Sequence, residues 1–157
     1  MNVSLEKDTL ITKNYRNIGM AASVGESLIV PVIKNADLLN IENLATEITR
    51  LSTAAQENKL TMQDITGGTF TITNAGMFGG PLFSAPIINQ PEAAILGIHT
   101  VKERAVVENG NIVIKPMVYV SLSSDHRMVD GVLAVRFLCR IKELLQHPGL
   151  MATGPLL

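Results

Sequence analysis

The stretch Ser123-Ser124-Asp125-His126-Arg127-Met128-Val129-Asp130-Gly131 constrains this chain more than any other. Before it, Asn111 to Ser123 reads as a long β run broken at Pro116. After it, Val132 to Gln146 carries Leu133, Phe137, Ile141, Leu144 and Leu145 at helical spacing, and Pro148 and Gly149 stop the helix. A strand that feeds straight into a helix fixes both against one core. Side chains at such a junction sit on rigid supports and face a cleft. The junction also holds a histidine, an arginine and two aspartates. An imidazole with a pKa of about 6.5 accepts and returns a proton near neutrality, so His126 is the natural general base. Asp130 falls at or next to the helix N-cap, where it accepts backbone N–H bonds and is held by the dipole. It could also fix Arg127 or orient the loop carrying His126. A lone histidine near a helix start is more often solvated or capping than catalytic, and residue types alone leave both readings open.

The rest of the chain reads mainly as short strands. Val3 to Leu5 and Leu10 to Thr12 form a hairpin around Glu6-Lys7-Asp8-Thr9. Asn17 to Ala22 and Leu28 to Lys34 are two strands around a turn at Gly25, and Pro31 implies an edge position or a bulge. Asn40 caps a helix from Ile41 to about Glu57, with Ile41, Leu44, Ala45, Ile48, Leu51 and Ala55 on its core face. Asn43 is not the Glu or Gln of a capping box, though Glu42 suits the positive end of the dipole. Thr61 and Asp64 bracket a helical turn ended by Gly67-Gly68. Thr69 to Asn74 is a strand with Thr71 and Thr73 on one face. Ala75 to Pro86 is an apolar loop containing Met77, Phe78, Leu82 and Phe83. Such a loop needs cover, either from the protein's own body or from another subunit, and the second is favoured. Ala93 to His99 and Ala105 to Glu108 are two strands or one bent strand. Asn109-Gly110 is the strongest hairpin signal in the chain. Ala152 to Leu157 reads as a loose tail. Strands outnumber helices, and both strong helices flank β runs. The expected fold is α+β, a mixed β-sheet sandwich with helices on one face.

Composition removes several function classes. At 157 residues the chain is one domain on size grounds, and its net charge of −1 leaves no basic footprint for nucleic acid. Trp is absent and aromatic residues are few, so base-stacking platforms are not expected. His99, His126 and His147 are scattered without metal-ligand spacing, so no metal site is expected. The single cysteine, Cys139, excludes an internal disulfide and is expected to be a buried small hydrophobe. A reducing compartment fits this usage. No run is long enough to span a bilayer, and the first residues alternate and carry acid, unlike a signal peptide.

Three strings resemble a known family, in that family's order. Asp125-His126-Arg127-Met128-Val129-Asp130-Gly131 resembles the DHRxxDG signature of the dihydrolipoamide acyltransferases, the E2 components of 2-oxo acid dehydrogenase complexes. Its H-x-x-x-D-G part is shared with chloramphenicol acetyltransferase, and Arg127 favours the dihydrolipoamide enzymes. Gly67 to Gly76 resembles the GGTFTITN-type strand, and Pro86 to Gly97 resembles the PIINPPE-x-AILG segment. The resemblance implies a chloramphenicol-acetyltransferase-like fold. It also implies transfer of an acyl group between dihydrolipoamide and coenzyme A. By resemblance, Thr73 holds the position of the family's oxyanion-binding Ser or Thr, and Asp130 is structural. Acyl transfer between thiols needs a base for the attacking thiol, a donor for the oxyanion and an acid for the leaving thiol. A thiol pKa of about 8.5 lies within about two units of histidine, so one imidazole serves as base and then acid.

The resemblance implies further properties. The site lies between subunits of a homotrimer, with His126 of one chain facing Thr73 of its neighbour, and trimers build a cubic or dodecahedral cage. The lipoyl arm comes from a separate domain, and the E1 and E3 components join through domains outside this chain. The chain resembles a catalytic domain entered partway, without its N-terminal portion and without lipoyl or subunit-binding domains. Thr73, Ile98-His99 and Lys102-Glu103-Arg104 look closest to the succinyl-transferring members. Gln90 stands where the family commonly has Pro, and Ser124 where it often has an aromatic residue. The implied location is bacterial cytoplasm or mitochondrial matrix. The competing readings are a non-catalytic structural core or truncated remnant, and a small-molecule acetyltransferase of the chloramphenicol type.

Overall fold

The computed structural model describes residues 1–25, 27–80 and 82–152, without the side chains of Met77, Phe78 and Ala152. Strand β1 (Val3–Glu6) pairs antiparallel with β2 (Thr9–Thr12) in the expected hairpin. Next, β3 (Ile18–Val24) turns at Gly25 into β4 (Ser27–Ile29) and β5 (Val32–Ile33). The pairs Ala22–Ile29 and Gly19–Val32 keep one register across Pro31, so no bulge forms. Met20 N–H donates to the Pro31 carbonyl at 2.8 Å. Proline cannot return that bond, and the strand tolerates the loss at the sheet edge.

Helix α1 (Ile41–Gln56) begins as its cap predicts, with Asn40 Oδ1 accepting from Asn43 N–H at 2.8 Å. It packs against β3 and β5. Leu51 and Ala55 are buried, but Ile41 and Ile48 at the front of the same stripe are exposed. A short helix, α2 (Met62–Ile65), is opened by a capping box between Thr61 and Asp64. Asp64 also accepts from Arg50 of α1 at 2.8 Å.

The central sheet is completed by β6 (Phe70–Asn74) and β7 (Ala94–Ile98). Strand β6 runs parallel to both β3 and β7. Two further strands, β8 (Lys102–Glu108) and β9 (Asn111–Met117), form a separate ribbon around Asn109-Gly110, both at positive φ. Strand β10 (Val120–Ser124) then pairs antiparallel with β7. The sheet order is β10-β7-β6-β3-β4, with β5 also on β3. The two runs on either side of Thr100 are therefore separate strands in separate sheets. The long β run breaks at Val118-Tyr119, not at Pro116. Counted from the two-residue turn, Pro116 opposite Glu103 falls at a non-hydrogen-bonded pair, so its missing N–H costs the ladder nothing.

The last long helix, α3 (Gly131–Gln146), lays Phe137, Leu138 and Ile141 on a core of Phe70, Ala94 and Leu96. Phe70 and Phe137 meet edge to face at 5.6 Å. Leu145, expected on this face, is exposed, and so is Cys139, which is not the buried hydrophobe its apolar neighbours suggested. The helix ends at His147, and a short α4 (Gly149–Ala152) follows. The expected tail at 153–157 lies outside the described residues. The whole is an α+β fold built on one mixed sheet.

Candidate active site

Asp125 assembles the turn that carries His126. Its backbone N–H donates to Ala93 O at 2.8 Å, and its carbonyl accepts from Met128 and Val129 N–H at 2.9 Å each. Its carboxylate accepts the Arg127 N–H at 3.0 Å and the Arg127 guanidinium at 2.6–3.1 Å. Hydrogen bonding from Arg127, with its positive charge, holds the Asp125 carboxyl at about 2. Val129 is fully buried beneath the turn. His126 stands between the two clamped residues and is exposed, with no hydrogen bond to its ring among the described residues.

Asp130 is the N-cap of α3, its Oδ1 accepting from Leu133 N–H at 2.7 Å. It does not fix Arg127, whose guanidinium is taken by Asp125, two residues away and reached by a local turn. His126 and Asp130 thus share one loop.

Thr73 does not join them within the chain. It pairs with Gly97, and Gly97 pairs with Ser121, so Thr73 is level with Ser121 on one face of the sheet. His126 lies five residues past Ser121, and the Asp125–Ala93 bond shows the chain still running away from the Thr73 row. At about 3.3 Å per strand residue, the two are on the order of 10 Å or more apart. Thr73 is half-buried, and its hydroxyl has no partner among the described residues. Thr71, two residues back on the same face, is buried and donates to Glu92 Oε2 at 2.6 Å. The structure therefore separates the two threonines chemically.

Two buried polar clusters on this sheet escaped the sequence reading. One is Glu92, 4 % exposed, which also receives a long 3.4 Å bond from Asn89. Burial raises its carboxyl pKa, opposed by the bonds from Thr71 and Asn89. The other is His99, 2 % exposed, whose Nε2 lies 2.9 Å from Ser121 Oγ. Ser121 donates its one proton to Ser84 O, so His99 must donate from Nε2. Its Nδ1 is buried without a hydrogen-bond partner among the described residues. The available signal was a charged or polar residue at either end of an apolar β run.

The described part of the apolar loop after β6 is only partly covered by the rest of the chain, the Phe83 ring lying 5.7 Å from the His99 ring. Leu82, Phe83 and Ile87 are exposed, Ile87 at 91 %. Pro81 and the side chains of Met77 and Phe78, also expected in that loop, lie outside the described residues. Among the described residues, no group of three or more His, Cys, Asp or Glu could hold a metal ion. None of their helices is long and apolar enough to cross a membrane.

Comparison with known proteins gives the same strings a family. The chain is 47 % identical over 148 residues to the mitochondrial dihydrolipoyllysine-residue succinyltransferase component of the 2-oxoglutarate dehydrogenase complex of Saccharomyces cerevisiae. The match covers 94 % of this chain and 32 % of that protein. The chain therefore spans about a third of the length of the curated relatives it matches. Dihydrolipoamide acetyltransferase of Azotobacter vinelandii superposes with a TM-score of 0.87 at 38 % identity, over 93 % of this chain and 60 % of that one. The cubic core of the pyruvate dehydrogenase multienzyme complex gives 0.86 at 38 %, over 92 % and 60 %. The family described as 2-oxoacid dehydrogenases acyltransferase (catalytic domain) matches residues 1–153, and the chain belongs to it.

Proposed function

We propose that this chain transfers an acyl group, succinyl by preference, between dihydrolipoamide and coenzyme A within a 2-oxo acid dehydrogenase complex. Its relatives named as succinyltransferases at 46–47 % identity support the choice of acyl group. His126 takes the proton from the incoming thiol. The thiolate attacks the thioester carbonyl, and the Thr73 hydroxyl donates to the resulting oxyanion. Collapse expels the second thiolate, which regains the proton from the His126 imidazolium. Asp130 holds the loop by capping α3. The lipoyl group comes from a separate domain, and the E1 and E3 components are the implied partners.

The observation that carries this reading is the separation of two unbonded groups. Thr73 and His126 each lack a partner among the described residues, yet one chain keeps them on the order of 10 Å or more apart. A second copy that brings its His126 to this Thr73 completes the set, as a homotrimer with a repeated head-to-tail contact allows. The exposed Leu82 and Phe83 of the loop, and Ile87 just after it, fit burial in that contact. The acetyltransferase of A. vinelandii supports the assignment. A serine, a histidine and an asparagine were investigated in its catalytic mechanism, and the asparagine is four residues after the histidine. Asp130 stands at the same interval from His126. The location that goes with this reading is bacterial cytoplasm or mitochondrial matrix.

Co-expressing His126→Ala with Thr73→Val tests the shared site. Each variant alone loses activity. Random mixing into trimers with sites between subunits restores about a quarter of the wild-type sites, because three in four trimers are mixed and each holds one intact pair. No recovery, measured as acyl transfer from acyl-dihydrolipoamide to coenzyme A, would place the site within one chain.

A further inference from the structure

Glu92 is a buried carboxylate that forms no ion pair among the described residues. No cation among the described residues lies within salt-bridge distance of it. Its Oε2 accepts from Thr71, while its Oε1 has only the long bond from Asn89. The space for Oε1 exists because residue 68 is glycine: a Cβ there would sit 2.6 Å from that oxygen. An isolated carboxylate in such surroundings is costly unless something positive approaches it, which is why buried acids tend to neutralise.

The carboxylate lines a cavity of about 310 Å³ with Ser4, Lys13, Tyr15 and Asn89. The Ser4 hydroxyl, in a residue 3 % exposed, is also buried without a partner. Two buried oxygens with unused hydrogen-bonding capacity therefore border one cavity at the edge of the β1–β2 hairpin. We propose that this cavity binds a guanidinium or alkylammonium group, which donates N–H bonds to Glu92 Oε1 and Ser4 Oγ. A guanidinium supplies several donors in a fixed plane and a charge that is not lost on burial. The group comes either from the side chain of another copy of this chain or from a free organic cation, since both present the same chemistry.

Methylguanidinium is the probe, and the Glu92 carboxyl carbon, followed by ¹³C NMR against pH, is the readout. Binding of the free cation lowers the Glu92 midpoint by about one unit or more, as an opposite charge at contact distance does. It also raises the Tm of the wild type and leaves the Tm of Glu92→Gln unchanged. If the group belongs to another copy, the midpoint falls with rising protein concentration without any probe. The probe then acts only on the dilute protein. A midpoint that answers neither to methylguanidinium nor to concentration overturns the proposal. So does a Lys13→Met variant that alone raises the Glu92 midpoint by one unit while the probe does nothing, because Lys13 is then the counter-ion in solution.

Discussion

Asp125 does for the loop what Asp130 does for the helix. Both spend side-chain oxygens on nearby backbone N–H groups, and together they leave His126 as the one titratable side chain between them with a free ring. The depressed Asp125 carboxyl belongs to its contact with Arg127. A group whose folded pKa is lowered contributes stability above its unfolded value, and that contribution is lost as pH falls through about 2. In Arg127→Ala the Asp125 midpoint, read by carboxyl NMR, should climb from about 2 toward the ordinary aspartate value of about 3.9. Thr73 is a separate matter. Its replacement by Val keeps the β-branched shape and removes only the hydroxyl. Steady-state transfer should fall by about 10²–10³, the effect of losing one oxyanion donor. An unchanged rate would remove Thr73 from the mechanism, whereas the same change at Thr71 would disturb Glu92.

The helices differ in how much of their apolar stripe this chain uses. Helix α1 buries Leu51 and Ala55 against β3 and β5, yet its first two turns present Ile41 and Ile48 to solvent. Leu51→Ala should therefore cost about 2–5 kcal/mol in urea unfolding, since it opens a cavity at a site with no exposure. In the isolated chain Ile48→Ala should stay within about 0.5 kcal/mol. Equal losses at the two positions would mean that the stripe is buried along its whole length in solution. The β8–β9 ribbon makes the opposite use of its residues. Its ladder is regular, but Val107, Ile112 and Ile114 are all exposed.

Across the whole molecule, exposed apolar residues occur on several elements, and Leu82, Phe83 and Ile87 are the ones assigned to the proposed shared site. Phe83→Asp, which places a charge on the partly covered loop after β6, should shift the sedimentation of the protein from trimer to monomer. It should also abolish transfer without lowering the far-UV helix signal. A charged trimer would remove this loop from the contact. Local sequence signals determined a great deal here. The Asn40 and Asp130 caps, the Asn109-Gly110 turn and the strand-to-helix junction each depend on bonds between residues a few positions apart. Those bonds form in the same way wherever the segment sits. Burial and partnership were decided only by the tertiary structure. Cys139 and Leu145 lie on an apolar helix, but the sheet takes Phe137, Leu138 and Ile141 instead. Glu92 and His99 gained their isolation from strands far away in sequence. The distance between Thr73 and His126 follows from the register of three strands, which no local pattern encodes.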